Sequence, residues 1–326
     1  MTVAIKHHES ERVPVMAGEE KQHRLGQFPT PDAIADFMAS LFHARWRELD
    51  LLDAGAGEGA LTRAVITRLC GLRHKPARIT VTAYELDETL IPSLRARLRD
   101  CRDECERSGV RFSASALNED FIAAAVPIVR GDFFAPPRPH FNAALVNPPY
   151  RKIHSDSPTR LLLRSAGIEA SNLYAGFVAL IAKLLADQGE LVAITPRSFC
   201  NGPYFKPFRS GFLETMSLRR LHVFESRSVA FSRDDVLQEN IIVHAVKDPA
   251  KPERVTISSS SGAPGGPVAA RKVPYGQVVS PGDPHQFIHL AQSGTEDTAR
   301  AIMGRLSGSL PALGLSASST GVHRSM

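Results

Sequence analysis

From Leu49 to Thr195 short apolar runs alternate with stretches of helical periodicity, and no other feature of the chain constrains its fold as tightly. The runs are "LDLLD", "RITVTAYE", "VRFSASA", "FNAALVN" and "ELVAIT". Helical patterns lie between them, at about 59–70, at about 87–107 and around "YAGFVALIAKLLADQ", which Gly189 stops. Strands that alternate with helices pair in parallel, because each helix returns the chain to the same end of the sheet and covers a face of it. A doubly wound, mostly parallel α/β sheet is predicted, with "ENIIVHAVK" closing its edge. Ahead of it, Thr30 is placed to cap a helix with Pro31 at its first position. Ile34, Phe37, Met38, Leu41 and Phe42 then form one apolar face.

At 326 residues the chain holds a full α/β domain and a remainder. The expected division is a polar arm over 1–24, a domain over 25–247, and a linker with part of a second domain, cut short, over 248–326, where Pro, Gly and Ser dominate. No apolar run reaches the roughly 20 residues that cross a bilayer. The polar start has no signal-peptide core, so a cytoplasmic protein without a membrane partner is expected. The cysteines are Cys70, Cys101, Cys105 and Cys200, too uneven for a disulfide framework, and Ser108 stands where a cluster-binding run would continue; no metal is expected. The net charge of +5 permits a polyanionic partner. Between Arg197 and Arg233 the basic residues outnumber the acids Glu214 and Glu225, a local basic segment that suits such a partner and an ordinary solvated surface equally.

The first strand turns into its helix through Asp53, Gly55, Gly57, Glu58 and Gly59. Glycines let a ligand approach the backbone, and the helix start offers free amides. Two carboxylates stand where a pyrophosphate would be repelled, so the ligand has a cationic or hydroxylated portion. Glu85, at the tip of the second strand, suits a ribose diol. Together they indicate S-adenosylmethionine. An adenine contact is expected after the third strand, where Asp120-Phe121 and Asp132-Phe133 compete; the first pair directly follows the alternating strand and is preferred.

"ALVNPPY" ends a core strand on residues that cannot continue it. Ligand sites of open α/β sheets lie beyond the carboxyl ends of strands, beside the proposed cofactor. Pro148 and Pro149 stiffen the turn so that the Asn147 side-chain oxygen and the Pro148 carbonyl converge on one NH2 group. Two acceptors favour the positive charge that grows on a delocalised amino nitrogen during methyl transfer. Tyr150 offers a ring for stacking.

With "DAGAGEG" followed by "NPPYRKI", the segment from about Gly26 to Lys247 resembles the gamma-type N6-adenine DNA methyltransferases of type II restriction-modification systems. The resemblance implies a seven-stranded class I S-adenosylmethionine-dependent methyltransferase fold. It also implies cofactor contacts from Gln27, Phe28, Thr30 and Leu86, and a target adenine flipped out between Tyr150 and a second aromatic. Phe205 is aligned with that aromatic, with Tyr204 and Phe199 as alternates; Lys152, Arg197, Lys206 and Arg209 are expected at flanking phosphates. Implied partners are double-stranded DNA and a cognate restriction endonuclease or separate recognition chain. Against the family pattern, the C-terminal region is short for a DNA-recognition domain, so a truncated and inactive methyltransferase is one alternative. Protein glutamine and RNA amino-group methylation are the others.

Overall fold

The computed structural model describes residues 29–43, 45–224, 240–262, 265–290, 315–318 and 321–324. The arm over 1–24, Gln27 and Phe28 lie outside them. The elements follow in alternation: α1 (Asp32–Ser40), β1 (Glu48–Ala54), α2 (Ala60–Cys70), β2 (Arg78–Tyr84), α3 (Ile91–Arg107), β3 (Arg111–Leu117), α4 (Phe121–Arg130), β4 (Phe141–Val146), α5 (Pro158–Ser165), α6 (Leu173–Leu184) and β5 (Leu185–Pro196). Then come α7 (Lys206–Thr215), β6 (Met216–Phe224), β7 (Asn240–Lys247), β8 (Arg254–Ser260), β9 (Ala269–Pro274) and the short α8 (Tyr275–Val278). Residues 1–289 form one compact unit; in a second, residues 290–326, β10 (Leu315–Ser318) pairs antiparallel with β11 (Gly321–Arg324).

The large sheet has nine strands in the order β3-β2-β1-β4-β5-β7-β6-β8-β9. Strands β1 to β5 run parallel, while β7 is antiparallel to both β5 and β6. The seven-stranded class I arrangement is thus present, with β8 added parallel to β6 and β9 antiparallel to β8. Side chains alternate across the strands. Leu49, Leu51, Ala143 and Leu145 join Met38 of α1, Ile66 of α2 and Leu94 of α3 in one core cluster. Leu52, Ala144 and Val146, equally buried, face the other way. Each such leucine contributes about 1.5–3 kcal/mol relative to exposure.

Four expectations change. The segment "ENIIVHAVK" does not close an edge; β7 lies between β5 and β6 with only its last residue incompletely buried, and its near-continuous apolar run is that of a strand covered on both faces. The composition shift after Lys247 is not a break in the sheet, because β8 and β9 extend it. Helix α6 ends at Leu184, short of Gly189. There Gln188 takes φ +62°, and a Cβ on Gly189 would stand 2.7 Å from the Ala186 carbonyl oxygen, so glycine serves a tight turn inside β5. At the start of α1, Pro31 is the N-cap residue and no side chain caps the helix. The Thr30 hydroxyl is engaged elsewhere.

Candidate active site

The loop after β1 is drawn against the end of β2. The Gly55 and Ala56 amides donate to the Tyr84 carbonyl, both at 2.9 Å, and the Gly57 amide donates to Glu85 Oε2 at 2.8 Å. Gly55 needs its positive φ of 77°, and a Cβ there would meet the Asn147 carbonyl oxygen at 3.9 Å. The nucleotide-type loop and the NPPY turn are therefore neighbours. Glu85 is buried, with Oε1 accepting from the Asp87 amide at 2.7 Å, so its carboxylate organises two loops.

A cavity open to solvent lies beyond the strand ends, where ligands of open α/β sheets bind. Gly55, Glu85, Leu86, Asp120, Phe121 and Pro149 line it. Phe121 is fixed by edge contacts with Tyr84 at 5.4 Å and a tilted contact with Phe177 at 5.0 Å. Asp120 caps α4, accepting from the Ile122 amide at 2.8 Å and the Ala123 amide at 3.3 Å. The competing Asp132 and Phe133 do not line the cavity, and Phe133 is 93% exposed. Glu58 is exposed and Gly57 lies beside the cavity without lining it.

Asp53 is completely buried. Burial raises its carboxyl from 3.8 to about 7, opposed by hydrogen bonds from Thr62 and reinforced by the charge of Glu85. The Thr62 hydroxyl donates to Oδ2 at 2.7 Å, while Oδ1 has no hydrogen-bond partner among the described residues.

At the tip of β4, Asn147 is held from two sides. Its Nδ2 donates to Thr30 Oγ1 at 3.0 Å, and its Oδ1 accepts from the Tyr150 hydroxyl at 3.0 Å. Tyr150 is buried, which raises its hydroxyl well above the usual phenol range, with Tyr174 adding to the effect. The turn is pinned by pairing with the residues before α6: the Ile153 amide donates to the Ser171 carbonyl, and the Leu173 amide to the Arg151 carbonyl, both at 2.8 Å. Lys152 is exposed beside this bridge.

Between Tyr150 and Phe205 stands Tyr174, which sequence reasoning missed. Its ring meets Tyr150 edge-on at 6.2 Å and stacks on Phe205 at 5.6 Å, and its hydroxyl is 3.1 Å from Ser198 Oγ. Phe205 is buried, Phe199 is buried against Phe208, and Tyr204 is 83% exposed. Arg209 is not available to a phosphate. It is buried, its Nη1 donating to the Phe199 and Gly202 carbonyls at 2.8 Å, and its Nε and Nη2 to the His285 carbonyl at 3.0 and 2.9 Å. The charge ties α7 to the chain after β9 and serves the fold.

Residues 102–231 match the Eco57I restriction-modification methylase family. The methylase match contains the NPPY turn, Tyr174 and Phe205; the glycine loop precedes it. Over 300 residues, 92% of this chain, it is 40% identical to the Type II methyltransferase M.PstI of Providencia stuartii. Identity to the Type II methyltransferase M.BsuBI of Bacillus subtilis is 39% over 299 residues, 91% of the chain. Either alignment spans 58% of the relative's own length. Among solved structures, a class I S-adenosylmethionine-dependent methyltransferase of Listeria monocytogenes superposes with a TM-score of 0.56 at 15% identity, covering 77% of this chain and 71% of that one. The type IIG restriction endonuclease BpuSI gives 0.59 at 14%, covering 89% and 35%. These two establish the class I fold. Fold and methylase family together imply S-adenosylmethionine as the cofactor.

Proposed function

We propose that this chain transfers a methyl group from S-adenosylmethionine to the N6 amino group of adenine in double-stranded DNA, as the modification activity of a restriction-modification system. The observation that carries the reading is the fixed Asn147, clamped between Thr30 and Tyr150 at the rim of the cavity that Gly55, Glu85 and Asp120 share.

The residues fit the cofactor. Acids line or flank the cavity, a poor environment for phosphates and a good one for a cationic amino acid and a ribose. The Asp53 oxygen without a partner is a buried acceptor of the right charge for a donor in the loop. Glu85 takes the ribose hydroxyls, Asp120 the adenine amino group and Phe121 the ring face, with Leu86 closing the side. Asp53, Gly55, Gly57 and Glu58 shape the loop, and Thr30 stands at the methionine end. When bound, S-adenosylmethionine supplies an electrophilic methyl group on a sulfonium.

The chain supplies geometry and acceptors. Asn147 Oδ1 and the Pro148 carbonyl accept hydrogen bonds from the two N–H groups of the target amino group, drawing electron density onto its nitrogen. A carbonyl oxygen has two lone pairs, so Oδ1 can take the amino group while the Tyr150 hydroxyl stays or turns away. Pro149 keeps the turn rigid. The amino nitrogen attacks first, and the proton it then sheds leaves for water, so no strong base is required. Tyr150 offers its ring to a base that has left the duplex, while Phe205 is stacked on Tyr174 rather than facing that ring, and Lys152 neutralises a neighbouring phosphate.

The test is incubation of the protein with methyl-labelled S-adenosylmethionine and mixed plasmid DNA, followed by digestion to nucleosides. Label in N6-methyladenine supports the reading. Label in a cytosine derivative, in protein or in RNA, or no label from a chain that binds the cofactor, overturns the assignment to adenine in DNA.

A further inference from the structure

One oxygen of Glu190 in β5 serves two imidazoles. Oε2 lies 2.9 Å from Nδ1 of His43 and 2.8 Å from Nε2 of His244, and it accepts the His43 amide at 3.1 Å. One ligand atom from each of the three side chains lies within 4.8 Å of the others. Glu190 and His244 are buried, whereas the His43 side chain is 58% exposed. The cluster joins the segment after α1 to β5 and β7. It is separate from the NPPY turn: Glu190 pairs with Ala143, while Ala193, three residues on, pairs with Val146 at the end of β4.

Two imidazoles and one carboxylate are a donor set that zinc takes while keeping a fourth position for water. Around tetrahedral zinc the donor atoms stand about 3.3 Å apart, so the two oxygen–nitrogen separations of 2.9 and 2.8 Å need to lengthen by a few tenths of an ångström, and the two nitrogens, within 4.8 Å of each other, need to settle at the same spacing. The exposed His43 provides the entry path. We propose that His43, Glu190 and His244 form a zinc site that fastens the C-terminal end of α1 to β5 and β7. Each ring turns a lone pair to the ion at the named nitrogen and carries its proton on the other. Arg68, whose guanidinium donates to the Ala39 carbonyl at 2.9 Å, interacts with Glu190 and is a positive charge against which the ion must bind. The other end of the same helix follows Thr30, the acceptor of the Asn147 amide, so the ion steadies a helix that reaches the catalytic turn.

The test uses the full chain with His7 and His8 replaced by alanine, since adjacent imidazoles there offer an unrelated site. Zinc alone is titrated by calorimetry, and cobalt by visible absorption. One equivalent is expected, with the intense cobalt bands of a tetrahedral site. His43→Ala, an exposed position, and Glu190→Gln should each weaken zinc at least tenfold with the far-ultraviolet spectrum unchanged. No binding by the folded chain, or equal binding by both variants, overturns the proposal; methylation activity does not enter the measurement.

Discussion

The Asn147 amide donates to the Thr30 hydroxyl at 3.0 Å across 117 positions of sequence. With Tyr150 holding the same side chain through Oδ1, the orientation of Asn147 is set before any substrate arrives. A preorganised acceptor loses nothing to reorganisation at the moment of methyl transfer.

Asn147→Ala removes that acceptor and leaves the cavity-lining residues in place. Methyl transfer in a single turnover should fall by about 10²–10³, the usual effect of deleting one preorganised polar group. Cofactor affinity, read by calorimetry, should change less than threefold. Turnover near wild type would contradict the role.

Thr30→Val keeps the shape and removes the hydroxyl. The Asn147 amide then loses its acceptor at a cost of about 1–2 kcal/mol, so kcat should drop roughly tenfold as the carbonyl loses its fixed direction. A change confined to the KM for cofactor would show that Thr30 acts on the methionine end alone.

Asp53 gives stability a definite pH dependence in the cofactor-free chain. Its folded value, about 7, exceeds its usual 3.8, so between those values the folded chain keeps a proton that the unfolded chain has released. Stability from this group is full below pH 4, is lost as pH rises to 7 and is level above. The span is on the order of 4 kcal/mol. Urea unfolding at pH 4.5 and 7.5 should show a smaller decline for Asp53→Asn than for wild type; parallel declines would contradict it.

Arg209 and Lys206 should separate fold from DNA contact. Arg209→Ala leaves three carbonyls without their donor and should cost about 3 kcal/mol in urea unfolding. Lys206→Ala, at an exposed site, should leave stability alone and reduce the slope of log affinity for DNA against log salt by about 1. A reduced slope for Arg209→Ala with unchanged stability would reverse the assignments.

The alternation from Leu49 to Thr195 was legible because each apolar run is bounded by glycine or by a charged helix, so strand and helix periods separate cleanly. The segment of β8 and β9 was not: "RVTISSS" and "AARKVP" sit in a stretch whose composition reads as linker, and the pairing of β8 with β6 and of β9 with β8 makes them part of the sheet. Local pattern marked Asp53, Glu85 and the NPPY turn. It had no means of marking Thr30 as the partner of Asn147, or Arg209 as a buried tie, since those facts come from residues that folding alone brings together. Tyr174 was hidden for another reason. Inside "NLYAGFVAL" it looks like any apolar helix residue, and its position between two rings depends on the sheet beneath it.

The outermost strand past β8 changes how the molecule meets other chains. A sheet ending at β6 would offer the open backbone of a nine-residue, mostly buried strand, a template for strand addition. With β9 in that position the rim is six residues long, carries Arg271 and Lys272, and stops at Pro274, which has no amide to donate. The stretch that reads as spacer is the hem of the sheet, and its charge and proline discourage edge-to-edge association with a second chain.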